Sequence, residues 1–109
     1  MFLYYKYRNI YKSSMLIRFM DIEEEKIKAT ILYHLRRKKI IGNVHTHFDT
    51  IKRGFPSHIG RDVDKIARKM VKEGWINIKP ASYGLQVSLN KNRIKEIEEY
   101  IVKILGFEF

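Results

Sequence analysis

The stretch NVHTHFD sets His45, His47 and Asp49 at alternate positions. Alternate side chains of a strand share one face, so this spacing lets two imidazoles and a carboxylate grip one metal ion, as metal-dependent hydrolases do. Those enzymes carry the motif on a strand of a large barrel, with further ligands far along the chain. A chain of 109 residues is too short for that barrel. A break at Gly42-Asn43 and a short helix from about Thr46 would also point the two histidines apart. No Gly-rich phosphate loop or Ser-His-Asp set accompanies them. A small metal-dependent hydrolase is therefore the remote alternative. The expectation is a protein that is not an enzyme and takes no cofactor.

The second set is basic. In GRDVDKIARKMVKEGW, Arg61, Lys65, Arg68 and Lys72 recur at spacings of four, three and four. At about 100° per residue, with Arg61 at zero, the other three fall at roughly 40°, 340° and 20°. Val63, Ile66 and Met70 fall at roughly 200°, 140° and 180°. One face is thus apolar and the opposite face cationic, with Lys69 beside it. An arginine near the start of such a helix can hold guanine O6 and N7 with two hydrogen bonds. Lys72, roughly 16 Å further along, suits a phosphate better than a base. The same pattern describes the solvated side of any amphipathic helix, and Asp64 can pair with Arg68 at spacing four.

Composition weighs on that choice. The chain carries 22 Lys and Arg against 12 Asp and Glu, a net charge of +10 and a pI near 9.9. Such an excess attracts polyanions, meaning DNA, RNA or an anionic membrane surface. Hydrophobic residues make up 45%, enough for one core, and the length suits one domain. No apolar run reaches membrane-spanning length. Cysteine is absent, which removes disulfides, Cys-based zinc sites and a Cys nucleophile, and fits a cytoplasmic protein.

Elements must place these residues. Residues 1–20, aromatic and basic, have no clean period and form an N-terminal extension. Met15 and Met20 also allow a start further downstream. Asp21 then reads as an N-cap, with Glu23, Glu24 and Glu25 in a first turn where the dipole favours anions. Ile27, Ile31 and Leu35 continue a helix over about 22–39, closed by Arg36, Arg37, Lys38 and Lys39. A short second helix follows, capped by Asn43 or Thr46, with Val44 in a short strand before it. Phe48 and Ile51 face inward and Gly54 stops it. Pro56 makes a corner and Ser57 caps a third helix over about 58–73, which Gly74 ends in left-handed conformation. WINIKP and YGLQVSLN alternate at period two around a hairpin tip, KPASYG. Ile76 and Ile78 share one face, as do Leu85, Val87 and Leu89. Asn90 or Asn92 caps a last helix striped by Ile94, Ile97, Ile101 and Ile104, with Leu105 beside them. That stripe suits the core or a homodimer interface.

This order predicts an α+β, mainly α fold: a winged helix-turn-helix over 21–90, with a three-helix core and a wing of two or three strands. Residues 91–109 add a C-terminal helix for packing or dimerisation. The motifs Gly54-Phe55-Pro56-Ser57-His58, Lys72-Glu73-Gly74, Lys79-Pro80 and Tyr83 through Asn90 resemble small archaeal winged helix-turn-helix proteins over about residues 43–92. The resemblance implies a winged-helix fold and DNA binding without enzymatic activity. The expected function is a sequence-specific transcriptional regulator, homodimeric on double-stranded DNA, with the 58–73 helix in the major groove. Arg53, Ser57 and His58 would add phosphate contacts, and Lys79, Ser82 and Tyr83 would touch backbone or minor groove from the wing. The alternative is a winged-helix module that binds RNA or docks on protein in a larger assembly. The sequence leaves the operator and any small-molecule effector unknown.

Overall fold

Helix α1 spans Leu16–Arg37 in the computed structural model, which describes residues 16–82 and 84–106, with side chains from residue 23 onward. The helix therefore starts well before Asp21, which lies inside it rather than at its cap, and it runs across the domain boundary expected at residue 20. Leu16–Met20 contains only residues that tolerate a helix, with no Gly or Pro to stop it. Glu23, Glu24 and Glu25 consequently sit beyond the first turn. The far end stops at Arg37. The amide of Ile40 donates to Leu35 O at 2.9 Å and that of Lys39 to Arg36 O at 3.1 Å, with Lys39 at φ 58°. This is a Schellman cap with a lysine where glycine is usual.

The chain then lays Ile41 in a bridge to Leu89. Strand β1 is only Thr46–His47, and Val44 stands outside it, 54% exposed. The second helical element is a 3-10 helix, Phe48–Gly54, which buries Phe48 and Ile51 as expected. Its cap is neither Asn43 nor Thr46 but His47, whose Nδ1 accepts from the Asp49 amide at 3.2 Å. A further 3-10 turn, Ser57–Ile59, leads into α2, Gly60–Lys72. Pro56, extended at ψ 144°, holds the cap position of that turn, so Ser57 lies within the turn instead of capping a helix. Gly74 ends α2 at φ 83°, with Trp75 N donating to Met70 O and Gly74 N to Val71 O.

Strands β2, Ile76–Ala81, and β3, Gly84–Leu89, form an antiparallel hairpin, and β1 pairs on the other side of β3. Pairing runs to Ala81↔Gly84, so the tip narrows to positions 82 and 83. Pro80 sits within β2, an edge strand, where its missing N–H costs no ladder bond to a further strand. Ile76 shares its face with Ile78, but the core ends between them: Ile76 is 1% exposed and Ile78 41%. The last helix, α3, spans Ile94–Leu105 after a 3-10 turn capped by Asn90, whose Oδ1 accepts from Asn92 N.

The core lies where α1, α2, α3 and the inner face of the hairpin meet. Trp75, at the start of the hairpin, clasps α3 to the rest. Its ring meets Tyr100 at 5.3 Å between centroids and carries the Arg93 guanidinium at 4.4 Å. Arg93 also donates to Glu73 O at 2.6 Å and to Glu96 at 3.0 Å, which holds the Glu96 carboxyl below its usual range. Arg36 of α1 donates to Glu98 of α3 at 2.7 Å. The result is an α+β chain, mainly helical, with one small three-stranded antiparallel sheet.

Candidate nucleic-acid interface

Helix α2 forms because its apolar residues repeat at three and four. Val63, Ala67 and Met70 are fully buried and Ile66 nearly so. The opposite side is open: Arg61, Lys65, Arg68, Lys69 and Lys72 are all exposed. Neither α3 nor any other described element covers it.

Ion pairs tie down both flanks of this face. On one flank Lys69, about 80° round from Arg61, reaches Glu24 of α1 at 3.2 Å. Just past the helix end, Glu73 takes Lys28 of α1 at 3.1 Å. On the other flank Asp64 takes Arg68 at 3.4 Å and Lys52 at 3.9 Å. Arg68 also lies over the Phe48 ring at 5.5 Å. Between the flanks, Arg61, Lys65 and Lys72 have no acidic partner among the described residues. The Asp64–Arg68 pair is the one expected from the spacing of four, and with Lys69 paired as well the face divides into three unpaired cations and two paired ones. Exposed pairs of this kind hold by about 0–1 kcal/mol, so Arg68 and Lys69 can still exchange partners with a phosphate.

The 3-10 helix and the hairpin flank α2. Arg53 lies in the last turn of the 3-10 helix, exposed, and Ser57 and His58 are exposed at the corner before α2. Lys79 and Ser82 are exposed on the hairpin, and Tyr83 lies outside the described residues. Gly84 closes the tip at φ 121°, where a Cβ would come within 2.9 Å of His47 Nε2. His47 therefore supports the base of the tip.

His45, His47 and Asp49 do not form a metal-ligating group among the described residues. His45 Nδ1 is engaged with Asn43 O at 3.0 Å and His47 Nδ1 with the Asp49 amide. Strand β1 is too short to keep the three side chains in register, and no three His, Cys, Asp or Glu residues converge on a metal position among the described residues. The dimer stripe is also redirected. Ile97 and Ile101 are fully buried in the chain's own core against α1, so they offer nothing to a second copy. Ile94 and Leu105 are half-buried and pack on the same core, and Ile104 is half-buried.

In the sequence, Arg36 to Lys39 look alike, as charges closing α1. The structure separates them. Arg36 is held by Glu98, whereas Arg37 lies over Tyr33 at 5.7 Å and Lys38 is exposed at the mouth of a cleft shared with Arg53. No local signal marks this, because the partner of Arg36 lies 62 residues away. No helix among the described residues is long and apolar enough to cross a membrane. No protein-family model, curated protein or solved structure matches the chain, so its chemistry has to be read from its own residues.

Proposed function

We propose that the chain is a winged-helix protein that binds duplex DNA, with α2 in the major groove, and acts as a transcriptional regulator. The observation that carries this reading is the open α2 face, with Arg61, Lys65 and Lys72 exposed, unpaired and opposite the buried face. Three features support it. The element order and the β1-β3-β2 sheet suit a helix-turn-helix followed by a wing. Arg61 stands in the first turn of α2, the end from which recognition helices reach base edges. The net charge of +10 supplies the attraction to phosphate. Lys79 and Ser82 on the hairpin extend the contact to the sugar-phosphate backbone.

Fluorescence anisotropy with labelled mixed-sequence duplex DNA tests this directly, with unlabelled duplex RNA as competitor. Binding at low salt that weakens steeply as salt rises, and that RNA displaces poorly, is the expected result. Preferential displacement by RNA would move the assignment to RNA, and no binding to either would move it to protein docking.

A further inference from the structure

Between the C-terminal half of α1 and the 3-10 helix Phe48–Gly54 lies a cleft of about 230 Å³. Its floor is Ile31, Leu35 and Ile51, and its rim carries Arg37, Lys38 and Arg53, with His34 and Thr50 in the wall. We propose that this cleft is a binding site for a small carboxylate anion with an apolar body, such as a single ring.

The rim sets the charge of the ligand. Three cations line the mouth and no carboxylate does. None of the three makes an ion pair among the described residues, although Arg36 and Lys52 beside them do. An arginine fork matches a carboxylate with two parallel hydrogen bonds, and Arg37 and Arg53 line this cleft from two different elements. The negative end of the α1 dipole would oppose an anion, but the Schellman cap occupies the carbonyls of Leu35 and Arg36, and Lys38 N covers that of His34.

The wall supplies polar groups with capacity to spare. Neither ring nitrogen of His34 has a hydrogen-bond partner among the described residues; the ring instead lies near Tyr33 and Phe55, at 6.0 and 6.4 Å between centroids. Burial first, then Arg37 and Lys38, push its pKa below 6.5, so near neutral pH the imidazole is uncharged and can donate one hydrogen bond. Thr50 accepts from the Thr46 hydroxyl at 3.2 Å and keeps its own O–H for donation. The apolar floor sets the ligand's other end. A phosphodiester backbone rides on a convex surface and would leave that floor empty, whereas a ring would cover it. The volume lies below the roughly 300–1,000 Å³ of drug-sized pockets, which limits the occupant to a small molecule.

NMR titration of the full chain with benzoate, acetate and benzamide tests the proposal. Benzoate should bind saturably, shifting His34, Thr50 and Gly54, at least tenfold tighter than acetate, which has the same head without the ring. Benzamide, the uncharged isostere, should bind at least tenfold more weakly than benzoate. Bound benzoate should also raise the His34 pKa, because an anion beside the imidazole favours its charged form. Arg37→Gln and Arg53→Gln, both at exposed positions, should each weaken benzoate at least tenfold with the spectrum of the core unchanged. Equal binding of benzoate and benzamide, shifts away from the cleft, or indifference to both substitutions would overturn the proposal. So would shifts of these resonances by a short DNA duplex with none from benzoate, which would assign the rim to the nucleic-acid surface.

Discussion

Replacing Ile97 by alanine tests whether α3 belongs to the core of a single chain. Ile97 is fully buried against α1, next to Ile101 on the same stripe. The change removes the equivalent of three methylene groups, worth about 2.4 kcal/mol of transfer free energy at ~0.8 kcal/mol each. A cavity term adds to this, because Trp75, Tyr100 and the Arg36–Glu98 pair hold α3 in place and hinder collapse. The expected loss is about 3–4 kcal/mol, within the range of roughly 2–5 kcal/mol for such truncations. With a urea m value near 1.5 kcal/mol/M, the midpoint should fall by about 2 M. If Ile97 packs only within its own chain, the loss should be the same at every protein concentration. A loss below about 1 kcal/mol, or one that fades as concentration rises, would refute the placement of Ile97 in the core and restore it to an interface.

Other outcomes follow from single residues. Gly74→Ala should destabilise by about 1–2 kcal/mol in a denaturant series, because position 74 is left-handed at φ 83° and a Cβ would meet the Arg93 guanidinium at 3.2 Å. Lys39→Gly should leave stability unchanged or raise it by up to about 1 kcal/mol in the same assay, since glycine relieves the φ 58° of the α1 cap at some cost in unfolded-chain entropy. Tyr100 should ionise near pH 12 in an ultraviolet titration, raised by burial and then by Glu25, Glu73 and Glu24. A tyrosine whose folded pKa lies above its unfolded value of 10.0 contributes stability in full below pH 10; that contribution is lost as pH rises through 12. His34 has the opposite shift for a base, so its contribution is present above pH 6.5 and lost as pH falls below it, and His34→Gln should flatten that part of the stability profile.

Local signals made most of the fold legible. The three-four rhythm of Val63, Ile66 and Met70 placed α2 and its buried face, and Gly74 marked its end because a Schellman cap needs a residue that accepts positive φ. The alternation in 76–89 gave the hairpin. Where the sequence misleads, a neighbour near or far along the chain decides. Asp21 looks like a cap, but nothing before it forbids helix, so α1 begins earlier. Ser57 looks like a cap, but Pro56 already sets the turn. The isoleucine stripe of α3 cannot say which surface it meets; α1 claims it. The stripe on α2 was visible as a pattern of charge. Its division into Arg61, Lys65 and Lys72, unpaired, and Arg68 and Lys69, paired, depends on Asp64 and on Glu24, the latter 45 residues from Lys69.

The double substitution Arg61→Glu with Lys65→Glu bears most directly on the proposed use of α2. Both residues are exposed and make no ion pair among the described residues, so the fold should survive, as circular dichroism would show. The measurement is the affinity for duplex DNA across a salt series. If α2 lies against DNA, affinity should fall at least a hundredfold at low salt. The slope of log K against log salt should shrink by about 1–2, at roughly 0.9 for each phosphate no longer neutralised. Wild-type affinity and slope in a folded double variant would contradict the assignment of this helix to DNA.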